Sequence, residues 1–187
     1  DYANAVVTAP SQIGLLPHIA TTAGLATTQR LQSHINQIQN NNLNPARNLW
    51  AIGEFENQDI AGYESDGNAQ VLLGMDFAHP NSTSAVSGIY ANITQKEFDN
   101  DNVKSGLSNI DLGEFGMGIY HTTTLNRLAN IRLDAAAGFG NLDVEVTRAV
   151  SLGDYKQEFK SDADGKRFYA NLQAGYPIQV SSTDIVP

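Results

Sequence analysis

Residues 128–148 read LANIRLDAAAGFGNLDVEVTR, and this stretch decides the fold class. Its first half alternates at period two between apolar residues and polar or small ones, which predicts a β-strand with two different faces. A length of about 11 residues is what a tilted strand needs to cross a bilayer. The stretch therefore predicts a transmembrane β-barrel strand whose polar face meets a water-filled interior. The apolar set is Ala129, Ile131, Leu133, Ala135, Ala137 and Phe139, and the other set is Asn130, Arg132, Asp134, Ala136 and Gly138.

The apolar residues change parity in the second half of this stretch. After Gly138 and Gly140, the apolar set becomes Leu142, Val144 and Val146. A slip of one residue beside paired glycines is typical of a β-bulge, so the sequence predicts a bulge at residues 138–140.

Composition is compatible with a barrel and excludes several other classes of protein. The chain has 187 residues, a net charge of -9 and no cysteine. The acidic balance argues against a nucleic-acid-binding surface, and the lack of cysteine excludes a disulfide framework or a thiolate metal site. No apolar run approaches the roughly 18 residues of a membrane helix. The slightly negative mean hydropathy still fits a barrel, because only alternate residues face lipid.

The chain before the strands is predicted to have two parts. Residues 1–28 mix Ala and Thr with Pro and Gly, which predicts an extended linker or the end of a preceding domain. Residues 29–44 are predicted as a helix with its body at 29–42, because Thr28 suits an N-cap and Leu31, Ile35 and Ile38 form a narrow apolar stripe. The remaining positions are mostly Gln and Asn. So polar and short a helix is not stable alone in water, which predicts that it is enclosed by polar groups.

From residue 48 onward the pattern predicts strands only. Long, acidic connections alternate with short ones along the chain. The long connections are 60–68, 97–109 and 151–166, and the short ones are 79–84, 121–127 and 180–183. This alternation predicts antiparallel strands with long loops at the cell surface and short turns in the periplasm. Trp50, Phe77, Tyr120 and Tyr176 lie near the short turns and predict an aromatic girdle there, although Tyr120 has the parity of the inner face. The predicted strands are residues 49–56, 70–78, 85–96, 110–120, 128–148 and 167–178.

These segments, in this order, resemble the translocator domain of bacterial autotransporters (type V secretion). The polar helix is followed by NLWAIGEFE, QVLLGMDFA, IDLGEFGMGIY, IRLDAAAGFGN and FYANLQAGYPI. The LGxD strand of the family matches residues 73–76, its glycine-rich strand ending in Tyr matches 116–120, and its (A/G)-G-Y strand matches 174–176. The resemblance covers roughly residues 29–187. It implies a twelve-stranded outer-membrane barrel with a helix through its pore.

The resemblance leaves about half of such a barrel unaccounted for. The sequence supplies six predicted strands, and a sheet of that size in lipid has two edges whose unpaired amides each cost several kcal/mol. The fold expected from the sequence is therefore an all-β, antiparallel transmembrane barrel of the outer-membrane type, present in part, preceded by a short helix in the lumen. Residues 48–187 are interpreted as the N-terminal half of that barrel.

Polar residues on the inner parity of the predicted strands are expected to be structural and to contact the helix rather than to catalyse. The histidines are scattered, Ser87-Gly88 shows no nearby base, and neither a metal, a cofactor nor a catalytic group is predicted. Asn40 and Asn41 resemble the asparagine pair at which some autotransporters cleave themselves. The predicted lumen-facing residues are Asp76, Glu114, Arg132, Asp134, Asn171 and Gln173.

The function implied by the resemblance is that of an outer-membrane translocator in a Gram-negative bacterium. It would anchor an N-terminal passenger, support its export to the cell surface, and have as partners membrane lipid, the outer-membrane assembly machinery and its own passenger. Two other classes of protein remain open. A soluble, secreted β-sandwich adhesin would bury the apolar face against a second sheet. An outer-membrane enzyme would need a nucleophile and a base in contact.

Overall fold

The computed structural model describes residues 15–40, 48–57, 63–65, 67–79, 85–100, 106–125, 131–152, 154–176, 178–180 and 183–185. Within these ranges a long helix precedes a series of strands. The helix, α1, spans Leu15–Asn40. The strands are β1 Asn48–Glu56, β2 Glu64–Ser65, β3 Asn68–Ala78, β4 Ala85–Asp99, β5 Gly106–Leu125, β6 Ile131–Leu152, β7 Tyr155–Gly175, β8 Ile178–Val180 and β9 Thr183–Ile185.

The strands form one large antiparallel sheet that follows chain order. Its order is β1-β3-β4-β5-β6-β7, with β2 paired to β4, while β8 and β9 pair with each other. This architecture confirms the predicted all-β class with a preceding helix. Among the described residues, no helix has both the length and the apolar content to cross a membrane.

The two faces of the sheet differ in chemistry, as the period-two pattern predicts. Large apolar side chains on the outer face are exposed, and Phe168 and Leu172 of β7 are 77% and 79% accessible. Side chains of the opposite parity, such as Leu72, Asn92 and Glu114, are buried against α1 and its neighbours. The outer face therefore carries an apolar band, whose members include Leu49, Phe55, Leu73, Ile89, Ile93, Phe115, Met117, Ile119, Phe139, Phe168 and Leu172.

The bulge predicted at residues 138–140 is absent from β6. The pairing with β5 runs unbroken through Met117↔Phe139 and Gly116↔Gly140, and the register shift between these two strands lies at Leu107/Asn109 instead. The alternation between the two faces continues without a break along β6, so the apolar residues of its second half lie on the inner face. Leu142, Val144 and Val146 turn inward and pack against the cluster that contains Ile19.

The reason for this change is that the outer face meets water beyond the apolar band. Outward positions continue as Asn141 and Asp143 on β6, paired with Lys166 and Asp164 on β7. The edge of the band therefore lies between Phe139 and Asn141 on β6, and between Phe168 and Lys166 on β7. Such a reversal of polarity in a continuous strand gives the same sequence pattern as a bulge.

The long loop predicted at residues 151–166 is also wrong. β6 continues to Leu152 and β7 begins at Tyr155, so most of the predicted loop is strand. Its side chains are polar because both faces are wet there, but the backbone remains paired. In this extension a hydrogen bond of 2.8 Å joins Lys160 Nζ to Glu145 Oε1 and raises the pKa of Lys160.

The helix begins at Leu15 rather than at Gln29 and ends at Asn40; residues 41–44 lie outside the described ranges. Pro17 falls in the first turn, where a missing N–H costs nothing. Threonine hydroxyls at Thr21, Thr22 and Thr27 donate to carbonyls one turn earlier. The low helix propensity of residues 15–28 is overcome by packing, since Ile19 and Ala23 are completely buried.

The predicted aromatic girdle loses two of its four members. Trp50 pairs with Gly74 on the inner parity and stacks on His34 of α1, with ring centroids 4.1 Å apart. Tyr120 is buried on the same side. Phe77 and Tyr176 have the outer parity.

A charge placed on the outer face should be far more damaging than one placed on the inner face. Leu172 lies in the middle of the apolar band on β7, and Asn171 beside it has the opposite parity. We expect Leu172→Arg to cost about 2–4 kcal/mol, because lipid cannot solvate the guanidinium. Asn171→Arg should cost much less. Urea titration of both variants folded into vesicles measures the difference, and equal losses would contradict the outward assignment.

Candidate functional site

The inner face of the sheet binds α1 along the whole length of the helix. Toward the helix N-terminus, Ile19 and Ala23 pack in a buried cluster with Phe98, Leu107 and Ile110 of β4 and β5. Tyr63 closes this cluster by donating a hydrogen bond of 2.8 Å to the carbonyl of Leu107. Burial raises the pKa of Tyr63. This end of the sheet carries the connection between β4 and β5.

A second apolar cluster holds the C-terminal half of the helix. Leu31, Ile35 and Ile38 are nearly inaccessible and contact inward residues at the end of the sheet with the short turns. The prediction that this helix is enclosed by polar groups is therefore incomplete, because an apolar cluster also holds it. The stripe is narrow but completely covered, because the inner face presents matching apolar residues. They include Leu72, Val86, Tyr90 and Tyr120.

Asp76 is the centre of a buried hydrogen-bond network beside the second cluster, at the end of the sheet with the short turns. Its carboxylate is completely inaccessible and accepts from His34 Nε2 at 3.1 Å, from Trp50 Nε1 at 3.1 Å, and from the hydroxyl of Tyr120. Asn48 Nδ2 lies 3.4 Å from the second oxygen. One carboxylate thus joins α1, β1 and β5. A buried carboxylate with this many donors is a strong structural contact.

Asp134 and Arg132 form a second polar contact with the helix. Asp134 Oδ2 accepts from Gln32 Nε2 at 2.9 Å, and its Oδ1 accepts from Thr122 at 2.6 Å. Arg132 pairs with Asp134 and donates from Nη2 to Asn36 Oδ1 at 2.7 Å. Arg132 and Asp134, both predicted to face the lumen, therefore act together on one side of α1.

Glu114 makes its contact through a residue that was not predicted. It forms an ion pair with Arg167 of β7 and accepts from Asn92 Nδ2 at 3.2 Å. Arg167 Nη1 lies 3.4 Å from the carbonyl oxygen of Ala20. A Cβ at Gly24 would lie 2.9 Å from Arg167 Cζ, so a larger residue at this helix position would displace the guanidinium from its present place.

The other predicted residues are less involved with the helix. Asn171 is half-buried and Gln173 is exposed on β7, and among the described residues neither is hydrogen-bonded to α1. Asn40 is the last helical residue, and Asn41 lies outside the described ranges. Self-cleavage at this pair stays a prediction.

Sequence reasoning missed several residues that hold the helix. One of them belongs to the helix, His34, and three contact it from the sheet: Trp50, Tyr120 and Gln70. Gln70 Nε2 donates to Thr27 Oγ1 at 2.6 Å. Parity alone could have placed Trp50 inside, because it precedes the outward Ala51. The inner parity of Tyr120 was noted, but its contact with the helix was not predicted. The partners of His34 are 42 residues away in the chain and leave no local signal.

The outer face has a polar cluster that the sequence reasoning rejected. Ser87 Oγ lies 2.9 Å from His121 Nδ1 and 2.9 Å from His79 Nε2. The statement that Ser87 has no nearby base is therefore wrong, and two of the four histidines are neighbours. The N–H groups of β4 around Ser87 belong to the ladders with β3 and β5, so they do not supply the free donors that acyl transfer would need.

The helix α1 runs from one end of the sheet to the other. The chain enters beside Phe98 and Leu107, at the end with the β4–β5 connection, and leaves beside Asp76, at the end with the short turns. It then begins β1 at Asn48, which pairs with Asp76. The N-terminus of α1 therefore lies at the end of the sheet opposite to the short turns.

The comparisons with known proteins match the sheet to one family. The model of a family described as the autotransporter β-domain matches residues 50–187. This range begins inside β1 and includes every later strand, while α1 lies before it. A comparison with curated proteins found no match.

Proposed function

Because this chain belongs to the autotransporter β-domain family and is thus an outer-membrane translocator domain, we propose that it supports export of an N-terminal passenger to the cell surface. In this proposal residues 48–187 belong to the barrel. The helix α1 lies in the lumen and connects the barrel to the passenger. Residues 1–14 are then the linker or the end of the passenger. The partners are the passenger, outer-membrane lipid and the assembly machinery of a Gram-negative outer membrane.

The direction of α1 carries this proposal. A passenger attached before residue 15 would leave the barrel at the end beside Phe98 and Leu107. At that end β6 and β7 extend past the apolar band with charged outer residues, which suits exposure to water outside the cell. At the opposite end β5 and β6 are joined by five residues after Leu125, and among the described residues no pair of strands extends in this way. Outer-membrane barrels have short turns on the periplasmic side.

The exposed apolar band argues against the soluble β-sandwich. Such a protein would bury Phe168, Leu172 and Ile119 against a second sheet, whereas these side chains are open on the described surface. The interior is filled by α1 instead. The same band suits a surface in contact with hydrocarbon.

Orientation can be tested with single cysteines, because the chain has none of its own. We expect Asp154→Cys, at the turn between β6 and β7, to react with an impermeant maleimide on intact cells. Asn126→Cys, between β5 and β6, should react only after the outer membrane is permeabilised. Labelling in the reverse pattern would overturn the orientation.

Export itself requires a separate measurement. An epitope fused before residue 1 should be detected by antibody on intact cells and removed by added protease. In the control, the same epitope with Leu172→Arg in the barrel should remain inaccessible, because assembly into lipid is impaired. A correctly oriented barrel whose epitope stays inside the cell would contradict the export role and leave the membrane location intact.

A further inference from the structure

The outer face carries a polar cluster within the depth of membrane that its strands must cross. Between Ser87 and Gln95 the outward positions on β4 are Ile89, Ala91 and Ile93, all of them apolar. This run covers five residues, whereas a crossing strand needs about 9–11. Ser87 lies next to this run, at the level of the outward Phe77, so we place Ser87 in the remaining part of the crossing. Ionisable groups at such positions are expensive and mark functional sites.

The cluster joins three strands at one level of the sheet. Ser87 pairs with Phe77 on β3 and with His121 on β5, and His121 pairs with Ala135 on β6. His79 follows β3, and its ring lies 5.6 Å from that of His121. One ring N–H donates to the Ser87 hydroxyl, which in turn donates to the other ring. Each imidazole then keeps a second nitrogen for an outside ligand.

An apolar groove starts at this cluster and runs along the outer face. Its volume is about 620 Å³. Small side chains at Ala135, Ala137 and Ala170 form its floor, while Ile119 and Leu172 stand on either side. A groove of this kind offers dispersion contacts to an alkyl chain along its length. The groove and the cluster together present an apolar slot with hydrogen-bonding groups at one end.

We infer that this surface is a binding site for one glycerophospholipid. An acyl chain lies in the alanine-floored groove, and the phosphate accepts hydrogen bonds from His79 and His121. A phosphate suits this place because the imidazole that accepts from Ser87 donates its second N–H to an anion, and the imidazole that donates to Ser87 donates to it as well when protonated. A second copy of the chain suits it less, since each copy carries a net charge of -9. The inference uses the membrane location and does not depend on passenger export.

Native mass spectrometry of the protein folded in octyl glucoside micelles tests this site. On titration with palmitoyl-oleoyl-phosphatidylglycerol, wild type should retain one lipid under collisional activation that removes the others. The double variant His79→Ala/His121→Ala should weaken retention at least tenfold, through loss of hydrogen bonds to a charged group. Gln95→Ala, at the opposite edge of the apolar band, should retain the lipid like wild type. Heat-modifiable migration on gels confirms that each variant is folded.

A groove variant and two partial ligands test the contributions of the groove and of the histidines separately. Ala137→Phe fills the groove and should weaken retention while leaving the histidines in place. Dioleoylglycerol, which has no phosphate, and glycerol 3-phosphate, which has no acyl chain, should each be retained poorly. Equal retention by the double variant, or equal retention of dioleoylglycerol, would overturn the inference. So would a stable dimer that excludes lipid. The double variant should display the epitope on the cell surface like wild type. Failure of wild type to display the epitope would count against the export function and not against the lipid site.

Discussion

Replacing Asp76 with alanine is expected to lower the free energy of unfolding by about 3–5 kcal/mol, because it removes one side of a buried charged network. The completely buried carboxylate accepts from His34, Trp50 and Tyr120. Without it, these donors are left in an interior where each unsatisfied group costs about 1–3 kcal/mol. The loss should appear in urea titration of the protein folded into vesicles, followed by the fluorescence of Trp50.

Two matched variants separate the network from the general loss of a carboxylate. Asp76→Asn keeps one acceptor oxygen, and its expected cost is about 1–3 kcal/mol. Asp164→Ala removes an exposed carboxylate on the outer side of β7, and its effect should stay within about 0.5 kcal/mol. If Asp76→Ala were no more harmful than Asp164→Ala, the network around Asp76 would contribute nothing to stability.

The faces of the sheet could be predicted from the sequence, because period-two alternation directly reports which side of a strand meets lipid. Phe115, Met117 and Ile119 on β5 were expected outward and are exposed there. The apolar pattern is misinterpreted where the outer face passes from lipid to water. Beyond Phe139 the outer face becomes polar, so a continuous strand was interpreted as a bulge followed by a loop.

The length of the helix could not be predicted from local preference. Residues 15–28 contain Pro17, Gly24 and several threonines, which are poor helix formers. They are helical because the inner face of the sheet buries Ile19 and Ala23. That surface comes from strands more than 70 residues later in the chain, such as the part of β4 that contains Phe98. No window of sequence around the helix reports it.

Partners in the interior were also beyond local reasoning. Asp76, Glu114 and Asp134 could be identified as inward carboxylates from parity, but Arg167 and His34 become their partners only through the order of the strands and the direction of α1. The same holds for the outer cluster. Ser87 and His121 are 34 residues apart and meet because β4 and β5 pair in one particular register.

The contacts of α1 are numerous and of two kinds, so the helix should resist single substitutions. Ile19, Leu31 and Ile35 are each almost completely buried, and each such side chain contributes about 1.5–3 kcal/mol. Polar contacts such as that from Gln32 to Asp134 add about 0.5–1.5 kcal/mol each. Removing one of them leaves the rest of the helix bound. We therefore expect Gln32→Ala to conduct ions in planar bilayers like wild type.

Deleting residues 15–40 should have the opposite result. The interior then loses both apolar clusters and the partners of Asp76, Arg132 and Asp134, so water and ions can occupy the space that the helix filled. For the deletion in a full-length, closed barrel, we expect ion conductance in planar bilayers to rise well above that of the undeleted barrel, and the temperature at which the barrel unfolds on gels to fall. Gln32→Ala is the control that alters a contact without removing the helix. Unchanged conductance after the deletion would show that α1 does not block the barrel, whereas raised conductance with an unchanged unfolding temperature would show that it blocks the pore without stabilising the barrel.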